Sequence, residues 1–158
     1  MRNRNFFHAL VVCVAAVFVS AALLSPARGA ESLEKIQKIR TATMKSISKT
    51  LRGIRVFVKN GQLKELAEAS EKVAKLIDRI PELSPKGSAF GEKSRIKSEV
   101  WDDFNRYKKL TEKSSTAARA LAKVAGIGDA KSSMSAFRVL GKSCGACHKP
   151  FRKKKKRR

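Results

Sequence analysis

The chain is poor in the residues that usually build metal and redox centres. Its 158 residues include three cysteines and two histidines, and Cys13 and His8 belong to the first thirty. Beyond them only Cys144, Cys147 and His148 remain, one short of the four ligands a structural zinc site takes. A thioredoxin-type dithiol is disfavoured as well, because that motif opens a helix after a strand, whereas these cysteines close a long helical pattern. No segment reads as a strand, which excludes the β classes. Acidic residues are also scarce: 13 Asp and Glu face 36 Lys and Arg, for a formal charge of +23. A field of that sign favours acidic partners.

What is present begins with a leader. Arg2 and Arg4 precede an acid-free apolar run from Phe6 to Leu24, and the small residues of Ser25-Pro26-Ala27-Arg28-Gly29-Ala30 follow. That layout predicts a secretory signal peptide over residues 1–29 with cleavage after Gly29. An uncleaved anchor is the runner-up, since the run is nearly long enough to span a bilayer. Removal of Arg2, Arg4 and Arg28 leaves 33 basic against 13 acidic residues, or +20.

From residue 30 the apolar positions recur at threes and fours. Leu33, Ile36, Arg40, Met44, Ile47 and Leu51 lead a first helix to the stop at Asn60-Gly61, and a second runs from Leu63 to Pro81. Residues 81–91 hold too much Pro, Gly and Ser for a helix and read as a long crossover. A third helix is predicted from about Ser98 to Gly126. Asp129 then caps a fourth, with Ala130, Met134, Phe137, Gly141, Cys144, His148 and Phe151 on its inner face. Pro150 should remove one backbone hydrogen bond and fray the last turn. Residues 153–158, all Lys or Arg, form a like-charge tail expected to be disordered. The expected fold is all-α, an antiparallel four-helix bundle over residues 30–152 with its cofactor inside.

The cofactor is named by Cys144-Gly145-Ala146-Cys147-His148, since C-x-x-C-H is the attachment sequence of c-type haem. On a helix the cysteines at i and i+3 and the histidine at i+4 project from one side. Two thiols can then join the haem vinyl groups while His148 binds the iron from one face. Export agrees with this, because such haem is attached outside the bacterial cytoplasm, in the periplasm.

With these elements placed, the chain resembles the cytochrome c′ family, the class II cytochromes c. The resemblance rests on the bundle, on C-x-x-C-H at the extreme C terminus, and on three stretches: Ile39-Arg40-Thr41-Ala42-Thr43-Met44-Lys45, Glu99-Val100-Trp101-Asp102-Asp103-Phe104, and Gly141 to Arg152. His148 is the only histidine beyond the leader, so bis-histidine ligation within one chain is excluded. Met134 lies about 21 Å along the helix from His148 and cannot reach the opposite haem face. The resemblance places Met44 at that face, either as a sixth ligand or as core packing that crowds the iron. It places Arg152 at the border of the proximal pocket. Arg40, one turn before Met44 on the same face, could pair with a haem propionate, and Trp101, an aromatic residue at helical spacing, is expected to pack inward near the haem edge.

The expected function is that of a periplasmic monohaem electron carrier. The alternative is a five-coordinate haem that binds nitric oxide or carbon monoxide, and Met44 decides between them. No constellation for substrate turnover accompanies the haem, so the chain is not expected to be an enzyme. An acidic redox partner protein is expected, while nucleic acid is not. The basic tail could also meet an anionic membrane surface, and a homodimer through the first two helices, as in many relatives, is left open.

Overall fold

The computed structural model describes residues 25–91 and 94–154, with side chains from Ser32 onward. The leader expected over residues 1–29 falls largely outside the described residues, as do Lys155 to Arg158. Among these described residues five helices follow in order: α1 Ser25–Asn60, α2 Leu63–Asp78, the single turn α3 Glu99–Asp102, α4 Phe104–Gly126 and α5 Ala130–Phe151. Backbone contacts divide the chain between Ser32 and Leu33. No described helix is long and apolar enough to cross a membrane.

Local chemistry accounts for most of these boundaries. Gly61 takes φ +68, a left-handed conformation that a side chain would oppose, and so ends α1 where the sequence predicted. Asp129 caps α5 by accepting from Ser132 N at 2.8 Å, also as predicted. The third predicted helix is instead two pieces. Asp103 leaves helical geometry at φ −137, ψ 64, and its carboxylate accepts from Arg106 N at 3.0 Å, starting α4 afresh. Aspartate bonds its neighbours' backbone more readily than it continues a helix, so an N-cap interrupts the apolar period there.

The core lies where α2, α4 and α5 meet. Leu66, Val73, Ala74 and Ile77 from α2 are fully or nearly fully buried, as are Ala118, Leu121 and Ala125 from α4 and Leu140 from α5. Serine and threonine on α4 enter this core at low cost because they bond their own helix: Thr111 to Lys108 O at 2.7 Å and Ser114 to Leu110 O at 2.9 Å. From α1, Ile47 and Ile54 join the same cluster.

Two expectations about α5 need correction. The stripe through Ser133, Leu140 and Cys147 is the buried one, while the predicted inner residue Gly141 is exposed. The helix also does not fray at Pro150. It continues to Phe151, and its end pairs with the segment before α3. Lys97 N donates to Phe151 O at 3.0 Å, Lys153 N donates to Arg95 O at 2.8 Å, and Ile96 bridges Arg152. Those bonds replace the hold that proline removes.

The crossover is pinned to α1. Gln37 Nε2 donates to Phe90 O at 2.6 Å, and Arg40 donates to Leu83 O at 2.6 Å, to Ser88 Oγ at 2.7 Å and to Ser88 O at 2.7 Å. Ser84 Oγ donates to Ile80 O and accepts from the Tyr107 hydroxyl at 3.1 Å. These bonds set the loop along one end of a hollow between α1 and α5.

Candidate functional site

The residues of the α5 stripe that miss the core border this hollow, a cavity of about 700 Å³. Phe137, Gly141, Cys144, Gly145, Cys147 and His148 form its α5 wall. Met44, Ile47, Ser48 and Leu51 form the opposite wall on α1, with Arg40 and Lys45 among them. Tyr107, Thr111 and Ser114 supply the floor from α4, and Ser94, Arg95 and Ile96 close one end. The volume falls within the ~300–1,000 Å³ of ordinary ligand sites.

Both cysteines are free thiols. Burial raises the Cys144 pKa, and burial together with the neighbouring Cys144 pushes Cys147 up to about 11. Neither is a ready thiolate at neutral pH, which argues against a reactive dithiol. Among the described residues no group of three or more His, Cys, Asp or Glu gathers to hold a metal ion.

Burial, followed by the charges of Arg152 and Arg95, holds the His148 pKa below its usual value. The ring therefore stays neutral, the form in which imidazole binds iron. Its Nδ1 lies 3.2 Å from Arg152 Nη1, which leaves Nε2 as the other donor atom.

Arg40 is only 7% exposed, and its hydrogen-bond partners are all uncharged: two carbonyls and a hydroxyl. Burial lowers its pKa. A buried guanidinium at a cavity wall with no carboxylate beside it among the described residues is suited to an anionic group on whatever fills the space. Ser94 Oγ is a second loose end, buried at the same cavity with no hydrogen-bond partner among the described residues.

Six of the seven residues singled out from sequence line one cavity: Arg40, Met44, Cys144, Cys147, His148 and Arg152. Trp101 does not. Its indole turns toward the crossover and donates to Ser84 O at 3.1 Å. The aromatic residues at the cavity are Tyr107, Phe137 and Phe151, with Tyr107 packed edge-on against Phe151 at 5.3 Å. Tyr107 stood in the predicted third helix, but nothing local marked it as part of the site.

The wall fits a flat cofactor. A Cβ added to Gly141 or to Gly145 would meet nothing within 4 Å. These glycines, one turn apart on α5, therefore leave a smooth surface that the protein's own packing does not use. With two thiols one turn apart and an imidazole beside them, the donor set suits a covalently attached haem.

An all-α bundle with a cofactor cavity between its first and last helices, and C-x-x-C-H in the wall, defines a class II c-type cytochrome. The family model described as cytochrome C′ matches residues 35–152, and the chain belongs to the cytochrome c′ family, non-enzymatic proteins that carry covalent haem c. Cytochrome c′ of Rhodospirillum rubrum is 30% identical over 146 residues, covering 90% of this chain and 96% of the relative. Cytochrome c-554 of Cereibacter sphaeroides is 42% identical over 79 residues, covering 47% of this chain and 56% of the relative. Among solved structures, the nitric oxide complex of a variant cytochrome c prime from Alcaligenes xylosoxidans has a TM-score of 0.69 at 24% identity. It covers 78% of this chain and 97% of that one.

Proposed function

We propose that the chain is a periplasmic protein with one haem c, attached through Cys144 and Cys147 and ligated by His148, that receives a small uncharged gas such as nitric oxide or carbon monoxide on the opposite face. The observation that carries this reading is the α1 wall. Met44, Ile47 and Leu51 present apolar side chains across the cavity from His148, and such a surface admits uncharged diatomics while disfavouring charged ligands. The nitric oxide complex of the Alcaligenes xylosoxidans protein, which shares the fold, supports it.

When bound, the haem supplies an iron able to take a diatomic ligand or an electron. The chain's residues do the rest. His148 stays neutral and available, and Arg152 and Arg95 place positive charge beside it. Arg40 faces the cavity with a charge that a propionate would balance.

A second reading, one-electron transfer with Met44 as sixth ligand, is favoured by the thioether in that wall and by the partial similarity to cytochrome c-554. Absorption spectra of the oxidised and reduced protein, with and without carbon monoxide, separate the two. A high-spin iron that binds carbon monoxide supports the gas reading. A low-spin iron that refuses it until Met44→Ala is made transfers the assignment to electron carriage. Attachment is checked by acid-acetone extraction: haem should stay with the protein and be released when both cysteines are replaced by alanine. Export predicts a mature N terminus between Ala27 and Glu31 by mass spectrometry.

A further inference from the structure

Acidic and basic residues are segregated along this chain. Residues 35–64 contain nine Lys or Arg and no Asp or Glu, and residues 130–158 contain eleven and none. Residues 65–129 between them hold thirteen basic against eleven acidic. Nearly all of the net charge therefore sits on α1, α5 and the tail, while α2, the crossover and α4 are close to neutral.

Each of the two charged helices sorts its side chains into three stripes. On α1, Thr43, Ile47 and Ile54 are buried, Met44, Ser48 and Leu51 line the cavity, and Lys45, Lys49, Arg52 and Lys59 are exposed. On α5 the buried stripe is Ser133, Leu140 and Cys147, the cavity stripe is Phe137, Gly141 and His148, and Lys131, Arg138, Lys142 and Lys149 are exposed. At about 100° per residue, the stripes lie roughly a quarter turn apart and follow in the same rotational order on both helices. Two antiparallel helices that face each other across one cavity then turn both cationic stripes away from the core, one on each side of the cavity mouth. Arg95, Arg152 and Lys153, tied together by backbone bonds, add charge at one end. Among the described residues of this face, only Lys38, 2.7 Å from Glu34, forms an ion pair.

We propose that this α1–α5 face docks on an anionic lipid bilayer with the cavity mouth toward the headgroups. The charges on α5 run from Lys131 to Lys149, about 27 Å of helix, with more along α1. Val56, 51% exposed, stands among those on α1. A long basic face of this kind matches an interfacial surface better than a compact acidic protein patch. The preference for lipid also rests on the gas reading, because uncharged diatomics dissolve better in hydrocarbon than in water. The docking itself rests on charge and geometry alone.

The test uses the mature haem-loaded protein, sedimented with vesicles of phosphatidylcholine alone or with roughly one-third phosphatidylglycerol. Binding is expected only to the anionic vesicles, and it should be lost at ~0.5 M salt. Reversing Lys49, Arg52, Lys142 and Lys149 to glutamate should weaken binding at least about tenfold. The same change in charge on α4, at Lys108, Lys109, Lys113 and Lys123, should leave it within about threefold.

Failure of the unmutated protein to bind anionic vesicles overturns the proposal without recourse to any variant. Equal losses from both sets of reversals overturn it as well, since the attraction would then lack an orientation. Binding to immobilised polyglutamate without binding to the vesicles would make an acidic polypeptide the partner instead. The haem spectrum, read on the same samples, tests the cofactor assignment independently of these outcomes.

Discussion

Where α2 meets α4 the bundle is closed, and where α1 faces α5 it is hollow. The first seam is filled by Leu66, Val73 and Leu121, each fully buried, with small alanines and serines between them, among them Ser114 bonded to its own helix. The second keeps glycines in its wall and a buried arginine with no carboxylate partner among the described residues, while each seam holds one buried hydroxyl without a partner there, Ser94 in the hollow one and Ser70 in the closed one. A protein interior avoids voids and unpaired polar groups. The open wall and the buried, uncompensated charge at one seam distinguish the half of the molecule built for the chain itself from the half built for a guest.

The largest effect should come from the closed seam. Leu121→Ala is expected to cost about 2–5 kcal/mol with or without haem, measured by urea unfolding. A loss much below that range would mean that α2 and α4 are less tightly joined than their burial implies.

Next is Arg40, which stitches the hollow side to the crossover. Arg40→Ala removes three hydrogen bonds but also a desolvated charge. A net loss of about 1–3 kcal/mol is expected in the haem-free chain, read from the same unfolding curves. A larger loss in the haem-loaded protein would show that the cofactor also uses the guanidinium.

The comparison sharpens at Gly141. Gly141→Ala should stabilise the haem-free chain by up to about 1 kcal/mol, since the added Cβ meets nothing and alanine favours helix. It should also lower the share of protein that acquires haem, measured by pyridine haemochrome. Stabilisation with full haem content would mean that the smooth wall is not needed by the cofactor.

The smallest effect is at the start of α5. Hydrogen bonds from Ser132 hold the Asp129 pKa below its ordinary value, so its contribution is present above the ordinary carboxylate pKa and disappears as pH falls through the lowered one. Asp129→Ala should lower the thermal midpoint at neutral pH, and the gap from the unmutated protein should close in acid. A gap independent of pH would show that the charged cap is not its source.

Much of the closed seam was legible in the sequence, because a stripe repeating every three to four residues specifies a buried helix face directly. The hollow seam was legible only in part. C-x-x-C-H is a local signal, and Arg40 and Met44 share the predicted α1 stripe, so these residues could be singled out. Trp101 was placed at the site because large aromatic residues usually pack inward, but its indole found an acceptor in the crossover. Ser94 and Arg95 lie in a loop whose path no periodicity describes.

The sequence by itself determined the helices and their ends at Gly61 and Asp129, since φ preference and capping act over a few residues. It also determined that Cys144, Cys147 and His148 project together, because i, i+3 and i+4 share one side of any α-helix. Only the tertiary structure decided what each stripe meets. Leu140 and Gly141 are neighbours in the chain, yet one is buried in the core and the other borders the cavity, because α5 packs on α4 along one side and leaves the next open. Tertiary structure also decided that Arg40 would bond Leu83 and Ser88, more than forty residues away, and that α5 would hold together past Pro150 by pairing with residues 95–97. Such partners depend on where a long loop returns, and the loop's own composition leaves that course open.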